Sequence, residues 1–469
     1  MFNWRGLGIL MLVVATFGAA HAQNPATIPA PATPQIWAAR WQAKLDRVKK
    51  GNVDLIFVGD SISHAWDNTS NYPVWSAYYE PRNAVSLGFS GARTENILWM
   101  LENGIVDGIS PKVAVVMIGT NNTDGVHFPV ANTPEQIAEG ITKIVETLKQ
   151  KLPKTKILLL HIFPRDNLPG TGEAGKKASE IVSHLHDGKR VFFLDISKTY
   201  LKSDGTIDPA LMPDLLHPNE VGNLLWAKAM EPTLQKLMGK PENSAIVPAE
   251  KSESDFYDWY ARHIDAKAYV KKHPVDLVFV GDSITHMFGG EPTSNRILAG
   301  DQWAKWYGKR NAMNLGFGFD RTQQVLWRLA HGELEGIQPK AVVLLIGTNN
   351  LTPHAVRGNT NDELLDGIKA ICKLIHKHSN KTKILLMGLL PRGEQPNTLY
   401  RVRITELNAQ LAKLNGKQNI TYFDLGPKLL DEKGVMLPGV TTDFLHLAER
   451  GYGIWAEAIE PIVKSLLSE

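Results

Sequence analysis

Along each half of the chain, short unbroken aliphatic runs alternate with stretches in which apolar residues recur every three or four positions. In the first half the unbroken runs are residues 55–58, 113–118, 157–160 and 191–194, with a shorter one around Val85. Such runs read as strands buried on both faces. Helical spacing appears in Trp37, Trp41 and Leu45, across residues 94–101, in Ile137, Ile141, Ile144, Val145 and Leu148, and from Pro218 to about Leu237. Thr133 followed by Pro134 predicts a helix start, because a hydroxyl caps the free amides and proline lacks an N–H that the first turn cannot use. The alternation predicts an α/β fold: a parallel sheet with helices on both faces, in three layers.

The second half repeats the first. VDLIFVGDSI ends at Ile62 and VDLVFVGDSI at Ile284; NAVSLGFSGARTENILWML fills residues 83–101 and NAMNLGFGFDRTQQVLWRL fills 311–329; IGTNN ends at Asn122 and at Asn350. Asp214-Leu-Leu-His217 and Asp443-Phe-Leu-His446 close the series. A period above 200 residues excludes a solenoid or propeller and predicts two copies of one domain, here residues 35–238 and 255–469. Residues 239–254, rich in proline, serine and charge, are expected to form an exposed linker, and residues 23–34 a flexible leader.

Composition narrows the class. The 51 basic and 48 acidic residues give a formal charge of +3 with no basic run, which removes support for nucleic-acid binding. Residues 1–22 combine Arg5, an apolar stretch too short to span a bilayer and an Ala20-His21-Ala22 cleavage pattern, as in an export signal peptide. A periplasmic or extracellular protein is expected, without a membrane span. The single cysteine, Cys372, lies in an amphipathic stretch and is expected to be a buried helix residue.

In an open parallel sheet, ligands bind beyond the carboxyl ends of the strands. Ser61, the loop 88–91, Asn121 and the Asp214–His217 turn all fall there, with Ser283, Asn349, Asp443 and His446 in the second half. Serine, histidine and aspartate meeting at one sheet edge is the arrangement that makes a hydroxyl nucleophilic. His217 would take the proton of Ser61, Asp214 would hold the ring, and a loop amide with the Asn121 side chain would bind the oxyanion. Gly-x-Ser-x-Gly, His-Glu-x-x-His and phosphate-loop motifs are missing from the sequence.

Gly59-Asp60-Ser61, Gly88–Gly91, Gly119-Thr120-Asn121 and Asp214-x-x-His217 resemble the four blocks of the SGNH (GDSL) hydrolases. Residues 321–329 and Leu390-Pro-Arg-Gly393 are similar to the platelet-activating-factor acetylhydrolase-like subgroup. The resemblance covers nearly all of both halves. It implies tandem flavodoxin-like domains, ester hydrolysis through an acyl-serine, and no metal or organic cofactor. Residue by residue it implies triads Ser61–Asp214–His217 and Ser283–Asp443–His446, with Gly91 and Asn121, and Phe319 and Asn349, at the oxyanion holes. Phe319 departs from the family glycine, which puts bulk at the second cleft and asks phenylalanine to take a positive φ.

Three functions follow: an exported esterase removing small acyl groups, acetyl foremost, from carbohydrates; a lipid ester hydrolase; or a protein whose second domain only binds. Around the blocks, Asp60 is expected to be a turn residue, Trp99 and Trp327 core, and His64 and His286 pocket wall rather than second bases. Arg165 and Arg392, each following a proline beyond a strand, suit structure and substrate contact equally.

Overall fold

The aliphatic runs form two parallel sheets of identical order. The computed structural model describes residues 23–32, 34–251 and 253–468; the expected signal peptide lies outside the described residues. In the first half β1 (Leu55–Gly59), β2 (Ala84–Gly88), β3 (Val113–Met117), β4 (Lys156–Leu160) and β5 (Val191–Leu194) assemble as β2-β1-β3-β4-β5. In the second, β6 (Leu277–Gly281), β7 (Ala312–Gly316), β8 (Ala341–Leu345), β9 (Lys383–Met387) and β10 (Ile420–Phe423) give the same order, β7-β6-β8-β9-β10. All pairings are parallel. This is the flavodoxin-like arrangement, whose crevice opens where the chain reverses direction between β1 and β3, or β6 and β8.

Alternate residues of each central strand feed two cores, one on each face. In β1, Ile56 and Val58 face one layer and Leu55 and Phe57 the other. Helix Pro134–Lys151 lays Ile137, Ile141, Ile144, Val145 and Leu148 on the first layer, and Thr133 caps it in a reciprocal box with Gln136. Helix Glu220–Met238 covers the other face; it starts at an Asn219 cap, two residues later than its sequence suggested. Trp99 and Trp327 sit half-buried at the core edge, against Trp41 and Trp259 respectively. Cys372 is buried, and burial pushes its thiol up to about 12.

Helices Thr171–Val182 and Leu399–Leu411 have no counterpart in the periodicity reading. The first buries Gly175, Ala178 and Ser179 among few large apolar residues, so its stripe is too weak to register in sequence. The second buries Arg401, Arg403 and Asn408 on its inner face.

The expected leader and linker are both docked. Asn24 caps the short turn Pro25–Thr27 and donates to Gln136 O, while Ala26 O accepts from Thr94 Oγ1 at 2.8 Å. In the linker, Asn243 caps Ser244–Ile246, donates to Glu363 O, and Ala245 O accepts from Thr322 Oγ1 at 2.8 Å. Each is thus a strap across two helices of its own half. A glycine makes the approach possible: a Cβ on Gly140 would lie 2.7 Å from Ala26 O, and one on Gly367 2.7 Å from Ala245 O. Ala26 and Ala245 are buried, while Ile246 and Val247 stay exposed as the linker's composition suggested; the straps are held by backbone carbonyls, which carry no sequence signature.

The halves also touch each other. Lys228 pairs with Glu406 at 2.6 Å, Gly358 N donates to Ser76 Oγ at 3.1 Å, and Leu399 joins the core of the first half.

Candidate active sites

Each nucleophile candidate starts a one-turn helix off the end of a central strand. Asp60 and Asp282 cap these turns by accepting from Ile62 N and Ile284 N, both at 3.0 Å, a structural role in line with the turn position their sequence suggested. Burial raises their carboxyls to about 6 and about 7. The turns lie almost on β2 and β7: a Cβ on Gly88 would stand 2.3 Å from His64 N, and one on Gly316 2.2 Å from His286 N. Glycine here brings the serine beside the loop that follows the neighbouring strand.

The structure brings the dispersed residues together twice. Ser61 Oγ lies 2.9 Å from His217 Nε2, and His217 Nδ1 lies 2.6 Å from Asp214 Oδ2. In the second half Ser283 Oγ is 2.9 Å from His446 Nε2, and His446 Nδ1 is 2.7 Å from Asp443 Oδ2. A carboxylate only accepts, so Nδ1 carries the ring proton and Nε2 is left to accept from serine. Asp214 Oδ1 also accepts from Leu216 N and His217 N, as Asp443 Oδ1 does from Leu445 N and His446 N. Partial burial alone would raise these carboxyls, but the bonds from the histidine amide and ring pull both below the usual range. The turn that lets one aspartate reach both backbone and ring puts Leu215 at φ 56° and Phe444 at φ 59°, left-handed values for non-glycine residues. The Asp-x-x-His spacing alone does not reveal this strain.

Asn121 and Asn349 approach from the loops after β3 and β8. One amide hydrogen of Asn121 goes to Ala92 O at 2.9 Å, and one of Asn349 to Asp320 O at 3.0 Å. The asparagine therefore ties down the loop carrying Gly91 or Phe319 and keeps a second N–H for a ligand oxygen. The second asparagine of each pair serves the scaffold: Asn122 and Asn350 are fully buried and bond Thr94 and Thr322.

His64 lines the first cleft, as its sequence position suggested, whereas His286 is 1% exposed and buried behind the loop rather than walling the second cleft; neither sits in a nucleophile-base role. His64 Nδ1 lies 2.8 Å from Ser90 Oγ and accepts from Ser90 N; His286 Nδ1 accepts from Gly318 N at 3.2 Å and its Nε2 meets Ser294 Oγ at 2.8 Å. Both therefore hold the loop that carries Gly91 or Phe319. Burial, and then nearby arginines, drive His286 down to about 2.

The clefts differ. The first is an open hollow of about 400 Å³ walled mainly by polar side chains, including His64, Asn68, Ser70, Ser90 and Asn219. Ser61 is half-buried there, whereas Ser283 is 7% exposed. The chain takes 28 positions from Ser283 to Asn311 against 22 from Ser61 to Asn83, and the longer segment sets Ser294 against His286. Arg296 from this insertion makes a two-bond pair with Asp255, and Tyr257 and Lys251 donate to Gly318 O. Phe319 stands half-buried beside His354, its backbone at φ 61°.

The two arginines part company. Arg165 is buried against Thr120 O and pairs with Asp124, whereas Arg392 remains half-buried on the ring of Tyr400 and donates to Thr352 Oγ1. Among the described residues no group of three or more His, Cys, Asp or Glu is placed to hold a metal ion, and no helix is long and apolar enough to cross a membrane.

A family model matches both halves. The sequence model of the GDSL-like Lipase/Acylhydrolase family fits residues 57–225 and 279–454. The chain is 34% identical over 231 residues to platelet-activating factor acetylhydrolase IB subunit alpha2 of Homo sapiens, a match covering 48% of this chain and 93% of that protein. It is 32% identical over 212 residues to subunit alpha1 of Homo sapiens, covering 45% and 85%. Among solved structures, a GDSL-like lipase from Bacteroides thetaiotaomicron aligns with TM-score 0.37 and 20% identity, covering 45% of this chain and 99% of that one.

Proposed function

The chain belongs to the GDSL-like lipase/acylhydrolase family and is a carboxylic ester hydrolase, and from that premise we propose that it is an exported serine esterase removing small acyl groups, acetyl foremost, from carbohydrate hydroxyls. The observation that carries the mechanism is the unbroken Ser–His–Asp chain, present twice with serine to histidine at 2.9 Å.

In each site the serine hydroxyl gives its proton to histidine Nε2 as its oxygen attacks the ester carbonyl carbon. The aspartate steadies the imidazolium, and the oxyanion receives hydrogen bonds from the asparagine amide and the amides of Ser61 and Gly91, or of Ser283 and Phe319. Collapse expels the alcohol, which takes the proton from Nε2, and leaves an acyl-serine. Water then enters, loses a proton to the same nitrogen, and releases the acid and free serine. An acetyl group is favoured by the curated relatives, which are platelet-activating factor acetylhydrolases. A carbohydrate alcohol is favoured by the polar, open wall of the first cleft, which offers hydroxyl and amide partners. Export rests on the apolar segment and Ala20-His21-Ala22 at the start of the sequence.

A second reading, hydrolysis of lipid esters, has one observation of its own: beside Gly91, a hollow of about 440 Å³ is lined by Pro31, Ala32, Trp37, Phe128, Pro129 and Val130. The deciding experiment measures acetate release from acetylated polysaccharide and from an acetylated phospholipid by the intact chain, Ser61→Ala, Ser283→Ala and the double variant. Each single variant is expected to retain the other site's share, and the double variant none. Full activity in the double variant refutes the mechanism, and release from the phospholipid alone selects the lipid reading.

A further inference from the structure

Beside the second triad lies a cation whose counterpart beside the first is paired with a carboxylate. Arg165 and Arg392 occupy equivalent places, after Pro164 beyond β4 and Pro391 beyond β9. Arg165 bonds Asn167 Oδ1, Thr120 O and Thr123 Oγ1, and its guanidinium, 2% exposed, faces the Asp124 carboxylate at 3.5 Å. Asp124 lies three residues after Asn121. Three residues after Asn349 the chain has Thr352 instead. Arg392 therefore donates to a neutral hydroxyl, Thr352 Oγ1 at 2.6 Å, and lies 4.2 Å from the Tyr400 ring centroid. Among the described residues it forms no ion pair. The carboxylate of Asp443 acts on it through space but is committed to His446.

Its position is between the two catalytic loops. Thr352 N donates to Asn349 O at 3.2 Å, and Gly393 N donates to Phe444 O, inside the triad turn, at 2.9 Å. An arginine stacked on an aromatic ring has its fork oriented in advance, so two parallel N–H groups can be offered to one anion at small entropic cost. Desolvating a guanidinium without a counter-charge is otherwise unfavourable, and the first half avoids this with Asp124.

We propose that Arg392 is the anion-binding subsite of the second cleft, so that Ser283 acts on esters carrying a carboxylate or phosphate group while Ser61 acts on neutral ones. Resting on the esterase reading above, this gives the two sites different substrates of one chemistry.

The test uses the full chain with Ser61→Ala, where Ser283 alone turns over. Hydrolysis of 4-acetoxybenzoate and 4-acetoxyphenyl phosphate is compared with that of neutral methyl 4-acetoxybenzoate. Arg392→Gln, and Thr352→Asp, which rebuilds the pairing of the first half, are each expected to lower the anionic-to-neutral ratio of kcat/KM by roughly tenfold or more, the scale of a charged hydrogen bond. Arg392→Lys should recover part of the loss. The anion that loses more distinguishes carboxylate from phosphate, and in the Ser283→Ala chain the ratio should be lower than in Ser61→Ala. Ratios unchanged within about twofold in both Arg392→Gln and Thr352→Asp overturn the proposal.

Binding is read separately by titrating 4-hydroxybenzoate and its methyl ester into the chain lacking both serines, with and without Arg392→Gln. Acid binding that depends on Arg392, without turnover by Ser283, rejects the esterase reading of that site and keeps the subsite. Turnover without any dependence on Arg392 does the opposite.

Discussion

Phe319 holds, at φ 61°, the backbone position that Gly91 holds at φ 76°. A left-handed conformation costs a non-glycine residue about 1–2 kcal/mol, while a new glycine loosens the unfolded chain by roughly 0.5–1 kcal/mol. These nearly cancel, so Phe319→Gly is expected to shift the stability of the second domain by less than about 1 kcal/mol. Its effect on catalysis should be larger: in a Ser61→Ala chain, kcat/KM for bulky acyl esters should rise relative to acetyl esters. Equal changes for both would remove Phe319 as a gate.

Asn121 and Asn349 each spend one amide hydrogen on the loop opposite, and the mechanism proposed above assigns the second to the oxyanion. Alanine at either position should lower kcat of its own site by about 10²–10³, measured with the other serine removed. A change confined to KM would assign the asparagine to ground-state binding instead.

Asp60 and Asp282 are fully buried acids whose carboxyls are raised by burial to about 6 and about 7. A raised folded-state value means that the protonated form is favoured by folding. That contribution is complete below the unfolded value near 3.9 and is lost as pH climbs through the folded one. Asparagine caps the same turns without titrating. Relative to wild type, Asp60→Asn should therefore gain stability between pH 4 and 8, by up to about 3 kcal/mol, with Asp282→Asn gaining over a window reaching higher pH. Denaturant unfolding of each variant at the two pH values checks the sign, and a difference independent of pH would contradict the burial argument.

Gly140 leaves room for the strap carbonyl of Ala26. With a Cβ there 2.7 Å from both Ala26 O and Thr94 Oγ1, Gly140→Ala should cost roughly 1–3 kcal/mol by overpacking, against the small gain in helix propensity that alanine normally brings. Limited proteolysis should then cut the strap faster than in wild type. Gly367→Ala is expected to act alike on the strap at Ala245, and a gain in melting temperature in either variant would place the strap elsewhere.

Much of this protein was legible in its sequence. Continuous aliphatic runs such as residues 113–117 can be satisfied only by burial on both faces, so they fixed the parallel sheets, and the repeated Gly-Asp-Ser, Gly-Thr-Asn and Asp-x-x-His blocks marked which ends of those sheets carry chemistry. Tertiary structure alone decided how those blocks meet. The left-handed turn at Leu215 and Phe444, the straps at Ala26 and Ala245 and the sealing of His286 depend on backbone carbonyls and on packing between distant segments, which leave no local pattern. The same holds for the two arginines: Pro-Arg reads identically in both halves, and only the tertiary contact, with a carboxylate at Asp124 and with a hydroxyl at Thr352, pairs one guanidinium with an opposite charge and the other with a neutral group.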